Sequence, residues 1–477
     1  RKEKLTIHSS RLSDFIVDNE GENLYYLTRF EEGNNLWRTK FREKETKMFV
    51  TLNSDADSRI MLDKKEENLF LIEQGGKIAK VNVKEAKKET VNFSSEMNLN
   101  ETAERAYMFD HAWRQFKKKF YLEDLHGIDW DFYKKEYAKF LPYINNSIDF
   151  ADLLGEMLGE SNASHTGARY RPDPKSSNDY TASLGVYLDN DYAGNGVKIV
   201  EVMDKSPMLK AKQKITPGMI IESIDGVKIT SENNYYALLN RKVNDKTRLG
   251  LLDEKTGKRW NEVVEPISLS KENQLAYERW VKNREKDVER LSGGKIGYVH
   301  VEGMDSESFR EVYSKALGKY NDTKALIVDT RFNGGGWLHD DLATFLSGKP
   351  YIGIEPRGQK NMGVEPASKW NKPSAVLMSE GNYSDAHMFP YTYKALGIGK
   401  LIGMPVPGTG TAVWWEKMLD GKTVFGIPQV GMRMIGQDKL LENSQLDPDI
   451  KVKNDPAKVN MGQDQQLQRA VEELMKS

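Results

Sequence analysis

The sequence predicts a multidomain protein of mixed α and β structure, because three hydrophobic patterns follow one another along its 477 residues. Residues 1 to about 95 have the pattern of short strands separated by tight turns. From residue 101 to about 160 apolar residues recur at helical spacing, and from about residue 295 strands alternate with helices. We expect four segments: residues 1–97, 98–178, 179–268 and 269–477.

The composition excludes several classes of function. The chain has 70 basic and 71 acidic residues, a balance that gives no reason to expect nucleic acid as a partner. No apolar stretch is long enough to span a membrane. The absence of cysteine excludes disulfides, thiolate catalysis and zinc–thiolate sites, but it leaves the compartment open. Because the first residue is Arg1 rather than Met, we expect a fragment or a mature form of a longer protein.

The first segment contains one pattern twice: a strand, a turn, an Asn-Leu-aromatic strand, a turn and a third strand. The two copies are Asp14–Asp18, Asn23–Leu27 and Asn35–Thr39, then Arg59–Asp63, Asn68–Ile72 and Lys77–Val81. A period of about 45 residues is typical of β-propeller blades. Two blades cannot close a propeller, so the segment is predicted to be a partial one; a plain pair of hairpins is the alternative.

The second segment is predicted to be helical. Phe109, Trp113, Phe116 and Phe120 lie at i, i+4, i+7 and i+11, which indicates a helix with an aromatic face in a core. The segment ends in a loop of small residues, 162–167 (NASHTG), and residues 172–179 have the composition of a linker.

The third segment has three runs in a fixed order: 184–188 (LGVYL), 197–202 (VKIVEV) and 217–226 (PGMIIESIDG), with a helix predicted after Ser206-Pro207. This order resembles a PDZ domain over about residues 180–268. The resemblance implies a groove that takes a chain end by β-augmentation. A module that only spaces its neighbours is the alternative.

Two loops of the last segment indicate chemistry. Residues 333–336 (NGGG) follow a buried strand, and successive glycines let backbone N–H groups point at an anion. No Lys-Ser/Thr follows them, which disfavours a phosphate loop. Ser384 stands between a strand and a helix, where the helix N-terminus favours negative charge and the N–H of Asp385 can join an oxyanion hole. Without the G-x-S-x-G pattern, Ser384 is either a turn residue or a nucleophile.

A nucleophilic serine needs a base. His165, in the loop of small residues, is free to reach a partner, whereas His300 lies within a strand and His387 lies one helical turn past Ser384. No H-x-x-x-H or H-E-x-x-H spacing occurs, so we do not expect a metal site for metal-dependent hydrolysis.

Together the propeller-like strands, the S-H-T-G loop, the PDZ-like segment and the R-x-N-G-G-G, S-D and E-N-x-x-x-x-P-D motifs resemble the C-terminal half of tricorn-type serine proteases. These belong to the clan of tail-specific, or carboxyl-terminal-processing, peptidases. The resemblance covers about residues 101 to 475. It implies a nucleophile, a base, a serine that bridges the base to a carboxylate, that carboxylate, and two oxyanion donors: Ser384, His165, Ser164, Glu442, Gly336 and Asp385.

The sequence departs from the family in places. The loop between Glu442 and Pro448 is longer than expected, and the acidic residue for basic P1 side chains falls on either Glu355 or, with an apolar pocket, Ile354. The lysine of the clan's serine–lysine branch is missing, because residues 408–411 read GTGT.

The resemblance implies a serine peptidase that cleaves peptides or unfolded protein through an acyl-enzyme without a cofactor. It also implies a homo-hexamer and a cytoplasmic location, with the periplasm as the alternative. The competing hypothesis is a catalytically silent scaffold that binds peptides through the PDZ groove.

Overall fold

A computed structural model describes residues 5–6, 12–30, 33–54, 59–73, 76–173, 179–358 and 363–476. Residues 174–178 of the predicted linker lie outside these ranges. The chain divides into two compact units, residues 1–99 and residues 100–477. Every helix in the described ranges is too short or too polar to cross a lipid bilayer.

The first unit consists of two four-stranded antiparallel sheets, each with its strands in chain order. The strands are β1 (Leu12–Val17), β2 (Asn23–Phe30), β3 (Gly33–Lys40) and β4 (Glu45–Ser54) in one sheet, and β5 (Ile60–Leu62), β6 (Asn68–Ile72), β7 (Ile78–Asn82) and β8 (Lys88–Val91) in the other. The six predicted strands therefore form, and a fourth strand completes each set. Leu27, Leu36, Leu69 and Val81 belong to one core shared by both sheets.

The second unit begins with three helices and a short strand: α1 (Glu101–Lys119), α2 (Trp130–Ala138), α3 (Ser147–Gly159) and β9 (Ala168–Tyr170). Two 3-10 turns, Leu125–Gly127 and Leu141–Tyr143, flank α2. The predicted aromatic face of α1 packs in a core with α3, and this core also contains Phe425 and Ile427 from a hairpin near the other end of the chain. The helical segment and that hairpin thus form one packed body.

The next module is dominated by an antiparallel sheet of six strands around its own core. Its strands are β10 (Ala182–Ser183), β11 (Val186–Leu188), β12 (Val197–Val202), β13 (Ile220–Ile224), β14 (Val227–Lys228), β15 (Thr247–Asp253), β16 (Lys258–Val264) and β17 (Ile267–Ser268), of which β10 and β17 pair separately. The helix predicted after Ser206 is a single 3-10 turn, Pro207–Lys210, because the backbone is extended again at Ala211. A second such turn is Tyr235–Leu239. Strand β11 lies at one edge of the sheet.

The last part of the chain is a three-layer α/β domain. Its elements are α4 (Leu269–Ser292), β18 (Ile296–His300), α5 (Ser306–Ser314), β19 (Ala325–Asp329), α6 (His339–Leu346), β20 (Ile352–Gly353), β21 (Val364–Glu365), β22 (Ser374–Met378), α7 (Asp385–Ala395), β23 (Lys400–Gly403), β24 (Thr411–Lys417), β25 (Thr423–Gly431), β26 (Ile450–Lys451), α8 (Pro456–Asn460) and α9 (Gln465–Leu474), with a π-helical turn, Lys315–Lys319, after α5. Five parallel strands pair in the order β18-β19-β22-β23-β26.

Strand residues of this parallel sheet alternate between two cores, as the period of two requires. Val328 and Val376 pack with α5, α6 and α7, whereas Ile327 and Leu377 pack with α4 and α9. Helices on both faces explain why the strands are apolar on both sides. The loops after β19, β22 and β23 leave the same carboxyl edge of the sheet, where ligands of α/β sheets commonly bind.

A second, three-stranded sheet joins the helical segment to this edge. Strand β9 pairs with β25, and β25 pairs with β24. The turn that carries His165 immediately precedes β9. Strand pairing over a long sequence separation therefore brings the predicted base towards the loops of the parallel sheet.

Candidate active site

Ser384 lies in a sharp turn between β22 and α7, with φ 57° and ψ −123°. A residue other than glycine rarely adopts such a φ, and the strain costs on the order of 1–3 kcal/mol. Thr409 Oγ1 accepts the Ser384 N–H at 2.9 Å. The side chain of Asn382 accepts the Ser379 N–H at 3.0 Å and donates to Thr330 Oγ1 at 2.9 Å. These bonds hold Ser384 at the positive end of the α7 dipole.

The glycine loop packs directly against this turn. A Cβ on Gly335 would lie 2.5 Å from Ser384 Cβ and 3.0 Å from the Asp385 nitrogen, so no side chain fits there. Gly336 forms an isolated parallel bridge with Met304, which uses the backbone groups on either side of Gly336. Within the described ranges neither the Gly336 N–H nor the Asp385 N–H has a protein acceptor. Both predicted oxyanion donors are therefore available to a ligand.

The predicted base is linked to the predicted carboxylate through one serine. Ser164 Oγ lies 2.7 Å from His165 Nδ1 and donates to Glu442 Oε2 at 2.9 Å. The Ser164 N–H donates to Glu442 Oε1 at 2.5 Å. Because Ser164 Oγ gives its single proton to the carboxylate, it can accept one from Nδ1. This arrangement favours the tautomer in which Nδ1 carries the proton and Nε2 has a free lone pair. The contact of Glu442 with Ser164 also shows that the longer loop after Glu442 does not keep the carboxylate away from the base.

Two further hydroxyl groups contact His165. Thr411 Oγ1 lies 3.1 Å from Nδ1, and the His165 N–H donates to the Tyr383 hydroxyl at 2.7 Å. The rings of His165 and Tyr383 are 4.7 Å apart between centroids. Tyr383 precedes Ser384 in the chain, so it anchors the base segment to the nucleophile turn. No hydrogen bond joins the imidazole to Ser384 Oγ among the residues that the structure describes.

Burial determines the electrostatics of this site. It lowers the pKa of His165 to about 4, so the imidazole is neutral at neutral pH and able to accept a proton. Burial also raises the pKa of Glu442, against the lowering effect of hydrogen bonds from Ser164 and the Gly410 N–H. When His165 gains a proton, its positive charge is separated from the Glu442 carboxyl group by the Ser164 hydroxyl alone. The carboxylate then stabilises the charged imidazole.

Asp385 contributes more than its N–H. Its carboxyl group is fully buried. Oδ2 accepts the N–H of Leu338 at 2.5 Å and the N–H of His339 at 3.0 Å, and Oδ1 lies 2.5 Å from His339 Nδ1. The hydrogen bond to Asp385 raises the pKa of His339. Asp385 thereby joins the nucleophile turn to the start of α6.

Two other residues considered in the sequence, His387 and Glu355, make no side-chain hydrogen bond with Ser384 or His165 in the part of the chain that the structure describes. His387 is buried, and its Nδ1 accepts the Thr409 N–H at 3.3 Å, so it is unsuited to be the base for Ser384. Glu355 is exposed in the loop after β20 and makes no hydrogen bond or ion pair with the described residues of the site. The predicted role of Glu355 in specificity stays a prediction.

Sequence reasoning missed Tyr383, Thr411 and His339 as site residues. Tyr383 and Thr411 contact His165 from positions 218 and 246 residues away. A single hydroxyl carries no local pattern that reveals such a contact. The only available signal for Tyr383 was its place beside the candidate nucleophile.

Comparison with known families and proteins agrees with this architecture. Residues 101–159 match the model of the Tricorn protease C1 domain, and residues 295–452 match that of Peptidase family S41. The Tricorn protease of Thermoplasma acidophilum is 25% identical over 453 residues, which cover 91% of this chain and 41% of that protein. Tricorn protease homolog 1 of Streptomyces coelicolor is 27% identical over 376 residues, which cover 77% of this chain and 35% of that protein.

Among solved structures, the crystal structure of the tricorn protease superposes with a TM-score of 0.82 at 21% identity, covering 95% of this chain and 46% of that one. The chain spans less than half the length of the relatives it matches. Residues 101–159 and 295–452 thus match, in this order, the Tricorn protease C1 domain and Peptidase family S41, and over 91% of its length the chain is similar to the Tricorn protease of Thermoplasma acidophilum.

Proposed function

We propose that the chain hydrolyses peptide bonds through an acyl-enzyme on Ser384, with His165 as general base. Ser164 and Glu442 orient the base, and the N–H groups of Gly336 and Asp385 bind the oxyanion. The observation that carries this proposal is the hydrogen-bonded chain from Glu442 through Ser164 to His165, anchored by Tyr383 to the strained turn of Ser384.

In acylation, Nε2 of His165 takes the Ser384 hydroxyl proton while Oγ bonds to the carbonyl carbon of the substrate. The carbonyl π electrons move to oxygen, and the two backbone N–H groups stabilise that charge. Collapse of the intermediate restores the C=O bond and breaks the C–N bond. His165 gives its proton to the leaving nitrogen, so the first product departs as an amine.

In deacylation, His165 takes a proton from water while the water oxygen bonds to the acyl carbon. Collapse breaks the ester bond to Ser384 Oγ, which recovers its proton from His165. The second product is a carboxylic acid, and the enzyme returns to its starting state. All groups used belong to this chain. Loss of one oxyanion donor typically slows such a reaction about 10²–10³-fold.

A fluorophosphonate serine probe tests this proposal. We expect it to label Ser384 in the wild type and in Ser347→Ala, a control at the end of α6 whose hydroxyl donates to the Thr344 carbonyl. Ser384→Ala should abolish the label, and His165→Ala should slow it by roughly 10²-fold or more. The unlabelled wild type is then incubated with a peptide library, and mass spectrometry identifies the cleaved peptides. If the folded wild type is not labelled, the proposal is contradicted, and the competing hypothesis of a catalytically silent peptide-binding scaffold is favoured.

We further propose that residues 1–97 are β-propeller blades, 98–178 a helical tricorn-core domain, 179–268 a PDZ domain and 269–477 the α/β peptidase domain. The two sheets of residues 12–91, each in chain order, support the first assignment. For the PDZ domain, the support is the edge position of β11 just after Gly185. Fluorescence anisotropy with a peptide carrying a free C-terminus should show binding that the same peptide loses when amidated; equal binding of both argues against a carboxylate groove.

Substrate preference, assembly and location are proposed from the resemblance. Glu355→Ala should reduce cleavage after Lys and Arg, whereas an unchanged preference favours the apolar pocket at Ile354. A homo-hexamer is expected in solution. Size-exclusion chromatography with light scattering measures the mass of the particle, and the mass of a monomer would contradict the hexamer. We place the protein in the cytoplasm, which cell fractionation would check against the periplasm.

A further inference from the structure

We propose that His339 is a positioning residue of the oxyanion hole: together with the Asp385 carboxylate it clamps the two backbone segments that supply the N–H donors. This inference rests on the proposed peptidase function. Among the described residues His339 makes no hydrogen bond with Ser384, and its hydrogen bonds go to Asp385, so we assign its effect to Asp385 and the glycine loop.

All hydrogen-bond donors to the Asp385 carboxylate in the described structure come from one short segment, residues 338–339. Asp385 is fully buried and accepts the N–H groups of Leu338 and His339 and the imidazole Nδ1–H of His339. No basic side chain other than this histidine forms an ion pair with Asp385 in the part of the chain that the structure describes. An unpaired buried carboxylate would be costly, and the imidazole supplies a side-chain partner in addition to the two backbone N–H groups.

The clamp connects the backbone segments that carry the two proposed oxyanion donors, the N–H groups of Gly336 and Asp385. The Asp385 N–H is one proposed donor, and its own side chain is the acceptor in the clamp. Gly336, the other donor, lies two residues before Leu338. Gly335, in the same loop, packs so near the turn that a Cβ added to it would lie 2.5 Å from Ser384 Cβ, which limits the approach of the loop towards the turn. The hydrogen bonds of the Asp385 carboxylate to Leu338 and His339 therefore set the distance between the Gly336 and Asp385 N–H groups.

A histidine suits this position because Nδ1–H donates a hydrogen bond in both the neutral and the protonated imidazole. The bond to Asp385 raises the pKa of His339, against burial, with smaller contributions from Asp340 and Asp341. The rings of Trp337 and His339 meet edge to face, with their centroids 5.4 Å apart. The clamp thus persists whether or not the histidine is charged.

The test compares His339→Ala, which removes the donor, with His339→Asn, which returns an N–H near the same place. His111→Ala is the matched control, because it deletes another half-buried histidine–carboxylate pair, with Glu416 at 2.6 Å. The phosphonyl oxygen of a fluorophosphonate occupies the oxyanion hole when Ser384 is labelled. We therefore expect the maximal labelling rate of His339→Ala to fall about 10–100-fold, with probe affinity changed less than about threefold. His339→Asn should recover to within about fivefold, and His111→Ala should match the wild type.

A maximal labelling rate in His339→Ala within twofold of wild type overturns the inference. So does an equal loss in the Ala and Asn variants with a matching drop in melting temperature, since that pattern indicates general stabilisation. If the wild type itself takes no label, the proposed function fails and the clamp is judged by hydrogen exchange instead. His339→Ala should then exchange faster over both 333–339 and 380–388, and unchanged exchange in either stretch overturns the clamp.

Discussion

The base and the nucleophile of this site are held by different physical means. His165 depends on side-chain hydrogen bonds, and its link to Glu442 spans 278 residues of sequence. Ser384 has one backbone hydrogen bond to Thr409, but its position depends mainly on a strained backbone and on close packing against Gly335 that excludes any side chain. Hydrogen bonds control proton affinity and orientation, whereas steric contact fixes position. Substitutions on the base side should therefore lower the rate with little effect on folding, and those on the nucleophile side should lower both.

Gly335→Ala should have the largest effect. Its Cβ would meet Ser384 Cβ at 2.5 Å and the Tyr383 carbonyl oxygen at 2.8 Å, in a backbone with φ +98°. We expect fluorophosphonate labelling of Ser384 to fall by about 10²-fold or more. The free energy of unfolding, measured in urea, should fall by about 1–3 kcal/mol.

Gly293→Ala separates strain from contact. Gly293 also has a positive φ, +60°, but nothing lies within 4 Å of its added Cβ. This control should lose about 1 kcal/mol of stability and keep its labelling rate. Equal labelling in both variants would show that contact with Gly335 does not position Ser384.

A double-mutant cycle on Glu442→Gln and Ser164→Ala tests the base side. Each change breaks the same chain of hydrogen bonds to His165, so each should slow labelling by roughly 10²-fold. The double variant should be no slower than the worse single one, because both act through one group. Multiplied effects would mean that the two residues act independently. Circular dichroism should show a folded chain in all three variants.

The pH dependence should show the smallest effect. With the pKa of His165 lowered to about 4, the labelling rate should change less than about twofold between pH 6 and pH 8 and reach half its maximum near pH 4. A midpoint near the ordinary histidine value of 6.5 would show that burial does not control the base.

The same shift predicts the direction of the stability change. Between pH 6.5 and pH 4 the unfolded chain binds a proton at His165 that the folded chain does not, so stability should fall as the pH drops through this window. His387, whose pKa burial also lowers to about 4, acts in the same direction. Urea midpoints measured at the same pH values separate this loss of stability from the loss of labelling.

The sequence predicted those parts of the molecule that depend on local pattern. The strands of residues 12–91 follow from alternation and turns, and the helix from Glu101 follows from the spacing of its aromatic residues. The glycine loop was recognisable as a candidate anion site from three successive glycines after a strand, and the structure adds that its approach to Ser384 leaves no room for a side chain on Gly335. Ser384 and His165 were candidates from their places in the sequence, and resemblance to a family fixed their roles and added Ser164 and Glu442. The structure joins His165, Ser164 and Glu442 in one hydrogen-bonded chain.

The remaining features depend on contacts that no local pattern encodes. Asp385 was predicted for its N–H, yet its carboxylate binds His339, 46 residues earlier. The hydroxyl of Tyr383 reaches His165 only because β9 pairs with β25. A tyrosine or a histidine has the same local signature whether it is exposed or part of a site, so only the tertiary structure distinguishes them.

The pairing of β9 with β25 has a consequence for biosynthesis. Ser164 leaves the ribosome long before Glu442, and the strand that receives β9 ends only at Gly431. At about 5–20 residues per second, the 278 residues between them take roughly 15 to 55 seconds to translate. During that time the histidine has no carboxylate behind it. A nascent chain that has not yet reached residue 442 therefore lacks the oriented base on which the proposed peptidase activity depends.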